Sequence, residues 1–450
     1  MKKVLPKKLN SNGQMLIGVL VAIAIFLILA HALFTLVATS FELVSFNKAR
    51  TTARHIASEK METIRNLPYD DVATVGGAPL GTLPQTETVN RNGLSFTVET
   101  SITYVDDPFD GTQGGTPNDD SPGDYKRARI EVSWEGVAAS RKNPVVMITD
   151  IAANVTTTTE GGTLTILVFD AYGNPVPQAT VTVVAASLGV NLTQETGSEG
   201  KVSLPAVEPC VSCYEITVTK SGMSTDRTYG TNEVANPIKP HTSVFADDLT
   251  QISFAIDTWG QIDISSLNSR INNFSDLGSV PFRIHGNKII GTDAFAQPVY
   301  KYDETLTTDG SGSKILTEME WDIYHVEMPS VTSYDTSGTT PLLPLNLSPG
   351  VDLDFTFSVE THSDHNILLT VKDPTQALIA SASAHLTEAG GYDESKFTGA
   401  EGDPDFGQVL FPDLEELTYT LNATASGFLN YNGVFDVSGP TSIDIVMTPE

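Results

Sequence analysis

Cysteine is nearly missing from this 450-residue chain: Cys210 and Cys213 are the only two. A disulfide framework is thereby excluded, and stability has to come from packed cores. Positive charge is scarce too. Lys and Arg number 26 against 55 Asp and Glu, and the net charge of −29 would repel phosphates, which argues against a nucleic-acid partner. Catalytic signatures are equally absent, with no nucleophile elbow, P-loop, dinucleotide fingerprint or His-Glu-x-x-His run. Acids are plentiful, yet spacing alone does not pair two of them for glycosidase chemistry. The chain reads as a non-enzyme. Charge of either sign is missing altogether between Lys8 and Glu42.

That uncharged run, Gly13 to Glu42, follows a basic tip with Lys2, Lys3, Lys7 and Lys8. It exceeds the about 20 residues a helix needs to cross the hydrocarbon core, so it is a membrane element first. Three readings compete for it. A secretory signal peptide would be cut at Ala30-His31-Ala32. A plain signal anchor would keep the lysine-rich end cytoplasmic. The third reading turns on Gly13, which stands between the basic leader and the apolar run. His31, inside the run, is either a functional ionisable group or a neutral ring packed against neighbouring helices.

Helical periodicity continues past the run through Ala49, Ala53, Ile56, Ala57, Met61 and Ile64 as far as Leu67, where Pro68 ends it. A helix from Gln14 to Leu67 would be about 80 Å long. Strand alternation follows in Ser95–Val105, Arg127–Trp134 and Val145–Thr149. A sheet laid on the C-terminal half of the helix would bury the apolar faces of both. Between the first two strands lie Asp106, Asp107, Asp110, Asp119, Asp120 and Asp124, interleaved with Gly and Pro. Ca²⁺ prefers such oxygen ligands, although the spacing is not that of an EF-hand, and a solvated loop is the alternative. No other cofactor is indicated.

Beyond Asn154 the chain is self-similar. Thr196-x-x-x-Gly200, Thr308-x-x-x-Gly312 and Thr398-x-x-x-Gly402 each lead to a β run near a tyrosine: Tyr214, Tyr324 and Tyr419. Such spacing suits small β-sandwiches. Cys210 and Cys213, in the loop before the first tyrosine strand, suggest a local disulfide, with free thiols or a functional pair as alternatives. His362, Asp364 and His365 are either a metal set or an exposed loop at a domain start. Asn154, Asn191 and Asn346 open Asn-x-Ser/Thr triplets, read as chance matches or as glycosylation acceptors in a host with that machinery.

The leader and Gly13 resemble the type IV prepilins, and the run Met61–Val72 is similar to the helix end of minor pilins. The resemblance implies cleavage after Gly13 by a prepilin peptidase, methylation of Gln14, and partners among other pilin subunits and an inner-membrane assembly machinery. Two positions depart from that family. Prepilins start the mature chain with an aromatic or apolar residue and carry glutamate at its fifth position; here Gln14 and Gly18 stand there. That glutamate is thought to neutralise the neighbouring subunit's amine, so Gly18 points to a minor pilin or pseudopilin and away from a major one. The first repeat unit, with Thr163–Phe169, the turn Tyr172-Gly173-Asn174-Pro175 and Ala179–Val184, resembles the carboxypeptidase regulatory-like family, close to the prealbumin-like and collagen-adhesin B-type stalk modules. Those modules act as spacers, stabilisers or sugar- and protein-binding surfaces.

The expected organisation is a leader (1–13), a pilin helix (14–67), a pilin-like β head (68–153) and sandwiches at 154–258, 259–349 and 350–450. In fold class this is an α+β pilin module followed by mainly-β tandem sandwiches. The expected function is a structural minor subunit of a type IV pilus or related filament, single-pass and then at the cell surface. Its rival is a membrane-anchored surface protein that binds carbohydrate or protein without a filament.

Overall fold

The computed structural model describes residues 12–119, 121–135, 144–153, 161–329 and 332–450, with side chains from Val19 onward. One helix, α1 (Asn12–Arg65), is followed almost entirely by β structure. Its N-terminal half projects free, with Phe26, Leu33, Phe34 and Phe41 all more than half exposed. The C-terminal half buries Ala49, Ala53, Ile56, Ala57, Met61 and Ile64, the face that the periodicity marked out. Alanines on that face let the backbone approach the sheet closely. The helix stops at Arg65, two residues before the expected end, and Asn66 and Leu67 close a last loose turn ahead of Pro68.

Four antiparallel strands receive the helix: β1 (Thr86–Arg91), β2 (Leu94–Val105), β3 (Tyr125–Trp134) and β4 (Val145–Ala152), in the order β1-β2-β3-β4. Inward residues Phe96, Val98, Ile102, Ala128, Ile130 and Val132 meet the helix in one core. Around its edge Lys60 pairs with Glu87 at 2.7 Å and Arg91 with Glu59 at 2.8 Å. The first is half-buried and the second exposed, where an ion pair adds little stability.

Three further cores follow in sequence. The first involves β5 (Gly162–Phe169), β6 (Thr180–Ala185), β7 (Val190–Glu195), β8 (Lys201–Val207) and β9 (Cys210–Thr219), together with the strand Leu249–Ala255. In each unit the first strand lies parallel to the last: β5 with Leu249–Ala255, Gly260–Asn268 with Asp352–Thr361, and Asn366–Lys372 with Pro440–Val446. The strand Asp352–Thr361 corrects one expected boundary. Position 350 was to open the third unit, but Phe355, Phe357 and Val359 complete the second core, and the crossing falls at 362–365. Gly350 marks a turn within the second unit, not a border.

The repeated threonines and tyrosines have a common physical role. Thr398 is buried; its Oγ1 donates to the Ile379 carbonyl at 2.8 Å and accepts from the Ala382 amide at 2.9 Å. Thr196 makes the equivalent pair with Val176 and Ala179, and Thr308 accepts from the Val280 amide. Two chain segments are thus tied by one hydroxyl. The glycine that follows adopts positive φ, and a Cβ at Gly200 would lie 2.4 Å from the Val168 carbonyl oxygen. Tyr214, Tyr324 and Tyr419 are each 1% exposed. Tyr214 and Tyr324 donate their hydroxyls to the carbonyls of Glu208 and Glu320, whereas Tyr419 accepts from the Glu415 amide.

The units are locked at their junctions. Asn191 donates its amide to the Gly76 carbonyl at 2.6 Å, and Gln194 reaches Ser101 at 2.7 Å, joining head to first sandwich. In the second unit a hairpin of Ile289–Thr292 and Pro298–Tyr300 pairs with Asn236–Pro237 of the first. At the last junction Arg270 donates to Asp405 at 2.6 Å and to the Phe397 carbonyl at 2.7 Å, and the Gln408 amide bonds the Thr339 backbone.

Replacing Thr398 by Val keeps its shape and strands the Ala382 amide and Ile379 carbonyl, a cost of about 1–3 kcal/mol. Amide hydrogen exchange across the strands 366–372 and 418–424 is expected to quicken, with β5 and β6 unchanged.

Candidate functional site: the acidic loop of the head

The loop between β2 and β3 is closed at its base by the Asp124 amide, which donates to the Val105 carbonyl at 3.1 Å. This closure turns acids from opposite ends of the loop toward each other. Carboxylate oxygens of Asp106, Asp119 and Asp124 all lie within 4.8 Å of one another. Each acid uses one oxygen on a backbone amide: Asp106 Oδ2 accepts from Gln113 at 3.1 Å, Asp119 Oδ1 from Ser121 at 2.8 Å and Asp124 Oδ2 from Asp107 at 2.6 Å. Two of the other oxygens, Asp106 Oδ1 and Asp119 Oδ2, are buried without a hydrogen-bond partner. The Gln113 side chain is 6% exposed, and both its amide atoms are also unpartnered.

Burial pushes the carboxyls of Asp106 and Asp124 above the usual carboxylate range. The backbone bonds oppose the rise, and repulsion from the neighbouring acids, Asp110 included, adds to it. Of the five aspartates of the sequence cluster among the described residues, then, three converge. Asp107 instead accepts from the Phe109 amide, Asp110 stands outside the triplet, and Asp120 lies outside the described residues. Hard oxygen donors of this kind fit Ca²⁺, which takes carboxylates and amide or backbone carbonyls together. No histidine or thiol stands in the triplet to favour zinc.

The remaining sequence candidates fall elsewhere. Cys210 and Cys213 are joined by a disulfide, and they belong to β9 itself, not to a loop before it, because Thr242–Val244 pairs alongside. His362 is engaged by Asp335, which accepts from it at 2.8 Å and also from the Ser363 amide and Asn366. That cluster fastens the crossing between the last two sandwiches and gathers no metal set among the described residues. Gly13, Gln14 and Gly18 lie on the backbone of α1, and their side chains are outside the description.

One residue escaped sequence reading. Lys126 is 2% exposed, donates to the Tyr69 carbonyl at 2.8 Å and sits over the Tyr69 and Tyr104 rings. Burial lowers its ammonium pKa, while Asp70 and Asp71 oppose the shift. Its signal was parity: Lys126 shares the inward phase of Ala128, Ile130 and Val132.

No family model and no curated protein matches this chain. Among solved structures, the Bacillus anthracis TIE protein is 12% identical, with a TM-score of 0.19, over 81% of this chain and 73% of its own. A streptococcal ancillary pilin is 13% identical at TM-score 0.18, covering 65% of this chain and 99% of its own. The minor pilin of Streptococcus agalactiae is 13% identical at 0.18, covering 42% and 96%. Scores this low carry no inference about what the chain does.

The raised carboxyls give a sign to the pH dependence. A carboxyl with a folded pKa above its unfolded value costs nothing below the unfolded value and destabilises once pH exceeds the folded one. Without calcium the head is therefore expected to be more stable near about pH 4 than at neutrality, insofar as this loop governs it. Added Ca²⁺ should remove that difference, and Asp119→Asn should blunt the calcium response. Melting curves with chelator and with Ca²⁺ at both pH values provide the check.

Proposed function

We propose that the chain is a membrane-anchored structural subunit of a type IV pilin-like filament, carrying a β-sandwich stalk at the cell surface. The observation that carries this reading is α1: one unbroken helix, apolar and unpacked over its first half, clamped by a sheet over its second. It is the only helix among the described residues long and apolar enough to cross a membrane. An uncovered apolar surface of that size needs lipid or other apolar helices around it. Lipid before assembly and neighbouring subunits afterwards satisfy the same surface.

Under this reading a prepilin peptidase cuts after Gly13, Gln14 becomes the methylated N-terminus, and inner-membrane assembly machinery inserts the subunit. Gly18 cannot neutralise a neighbour's amine, so the subunit takes a minor place, such as the tip. Ca²⁺ in the acidic loop stiffens the head next to the first sandwich. A membrane-anchored binding protein outside any filament is the alternative, supported by the same helix.

Mass spectrometry of the mature N-terminus separates the readings. Methylated Gln14 is expected; a start at Leu33 indicates a signal peptide, and an intact Met1 a plain anchor. Gly18→Glu is expected to increase incorporation along the filament shaft, scored by immunolabelling of sheared filaments, and unchanged incorporation counts against the assembly role.

A further inference from the structure

A cleft of 310 Å³ opens where the first and second sandwiches meet. One wall is Tyr172, held outward at 74% exposure by the Asp170 turn, whose carboxylate accepts from the Tyr172 and Asn174 amides. Facing residues come from the second sandwich: Trp321, Asn346 and Ser348. The walls are set relative to each other by backbone pairing across the junction, and the Tyr172 turn is fixed on its own sandwich by the Ala171 amide, which donates to Asp257 at 3.0 Å.

The charged groups of the cleft are already engaged, the lysine by an ion pair and the carboxylate by backbone amides. The Lys288 ammonium sits 3.3 Å from the centre of the Trp321 ring and is paired with Glu320 at 2.9 Å. The Asp322 carboxylate accepts from the Lys288 and Ile323 amides. Uncommitted groups are neutral. Among the described residues, the Tyr172 hydroxyl, the Trp321 indole N–H, the Asn346 amide and the Ser348 hydroxyl make no hydrogen bond within the protein.

We infer that this cleft binds a neutral hexose unit of a glycan. A hexose ring offers apolar C–H faces to stack on the tyrosine and on the indole surface left by Lys288. Its hydroxyls match a rim of neutral donors and acceptors, and one or two rings fill the volume. An anionic ligand would find the Lys288 ammonium already paired with Glu320 and would meet the Asp322 carboxylate. A purely apolar ligand would strand the four polar groups. Because both walls are fixed before binding, little ordering cost falls on the protein. The inference does not depend on assembly into a filament.

The test is an array of defined neutral and anionic glycans probed with the full chain in a sugar-free detergent. Retention of neutral hexose-containing glycans is expected. Tyr172→Ala and Asn346→Ala, both at exposed positions, should each weaken the tightest hit by tenfold or more without changing the melting curve. An array with no neutral hit, hits confined to anionic glycans, or hits kept at full strength by both variants overturns the assignment. Methylation at Gln14 without glycan binding would leave the filament reading intact and sink only this one.

Discussion

Everything in this molecule hangs on a helix that lives in two solvents. From Val19 to about Val44 the side chains of α1 meet no other part of the chain, and from Ala49 to Ile64 one face is sealed against the four-stranded sheet. A helix satisfies its own backbone groups, so the same geometry serves in hydrocarbon and against a sheet without a break. The change of environment is written only in the side chains: the first acid is Glu42, and the first lysine or arginine after the leader is Lys48. Rigid continuity across that point couples whatever surrounds the apolar half to the orientation of the head.

Much of this was legible because helix and strand periods report burial directly. The face Ala49, Ala53, Ile56, Ala57, Met61 and Ile64 is where spacing put it. The Thr-x-x-x-Gly turns and tyrosines could be read as repeats because each closes a backbone gap that an ordinary residue would leave unsatisfied. What failed had a physical reason too. Glycine turns mark chain reversals, and a reversal inside a sandwich looks the same as one between sandwiches, so Gly350 was misread as a border. Spacing along a loop cannot say which aspartates face inward; among the described residues, closure of the loop by the Asp124 amide brings three together. Lys126 is not legible from residue type, since a lysine is ordinarily exposed, whereas here two tyrosine rings and a carbonyl receive its ammonium.

The junctions convert separate domains into one stalk. Each is fastened by backbone or by buried polar groups, as when Asp335 gathers His362, Ser363 and Asn366 at the last crossing. Hydrogen bonds to main chain tolerate little lateral slip, since moving either partner by an ångström loses them. Tandem sandwiches joined by loose linkers would instead behave as beads.

That rigidity also explains where a binding surface can exist. The repeated tyrosines of the sandwiches are spent inside: Tyr214, Tyr324 and Tyr419 are all buried, whereas Phe245, Phe295 and Phe397 stand exposed singly. The aromatic cleft with free polar groups is assembled between modules, from a turn of one and strand ends of the next. Tyr172 and Trp321 are 149 positions apart in sequence, and neither has a partner that sequence could have suggested. Their meeting is a product of the hairpin at 289–300 pairing with Asn236–Pro237. This hairpin, which has no counterpart in the repeated turn-and-tyrosine pattern, sets the angle between two sandwiches, and with it the width of the cleft.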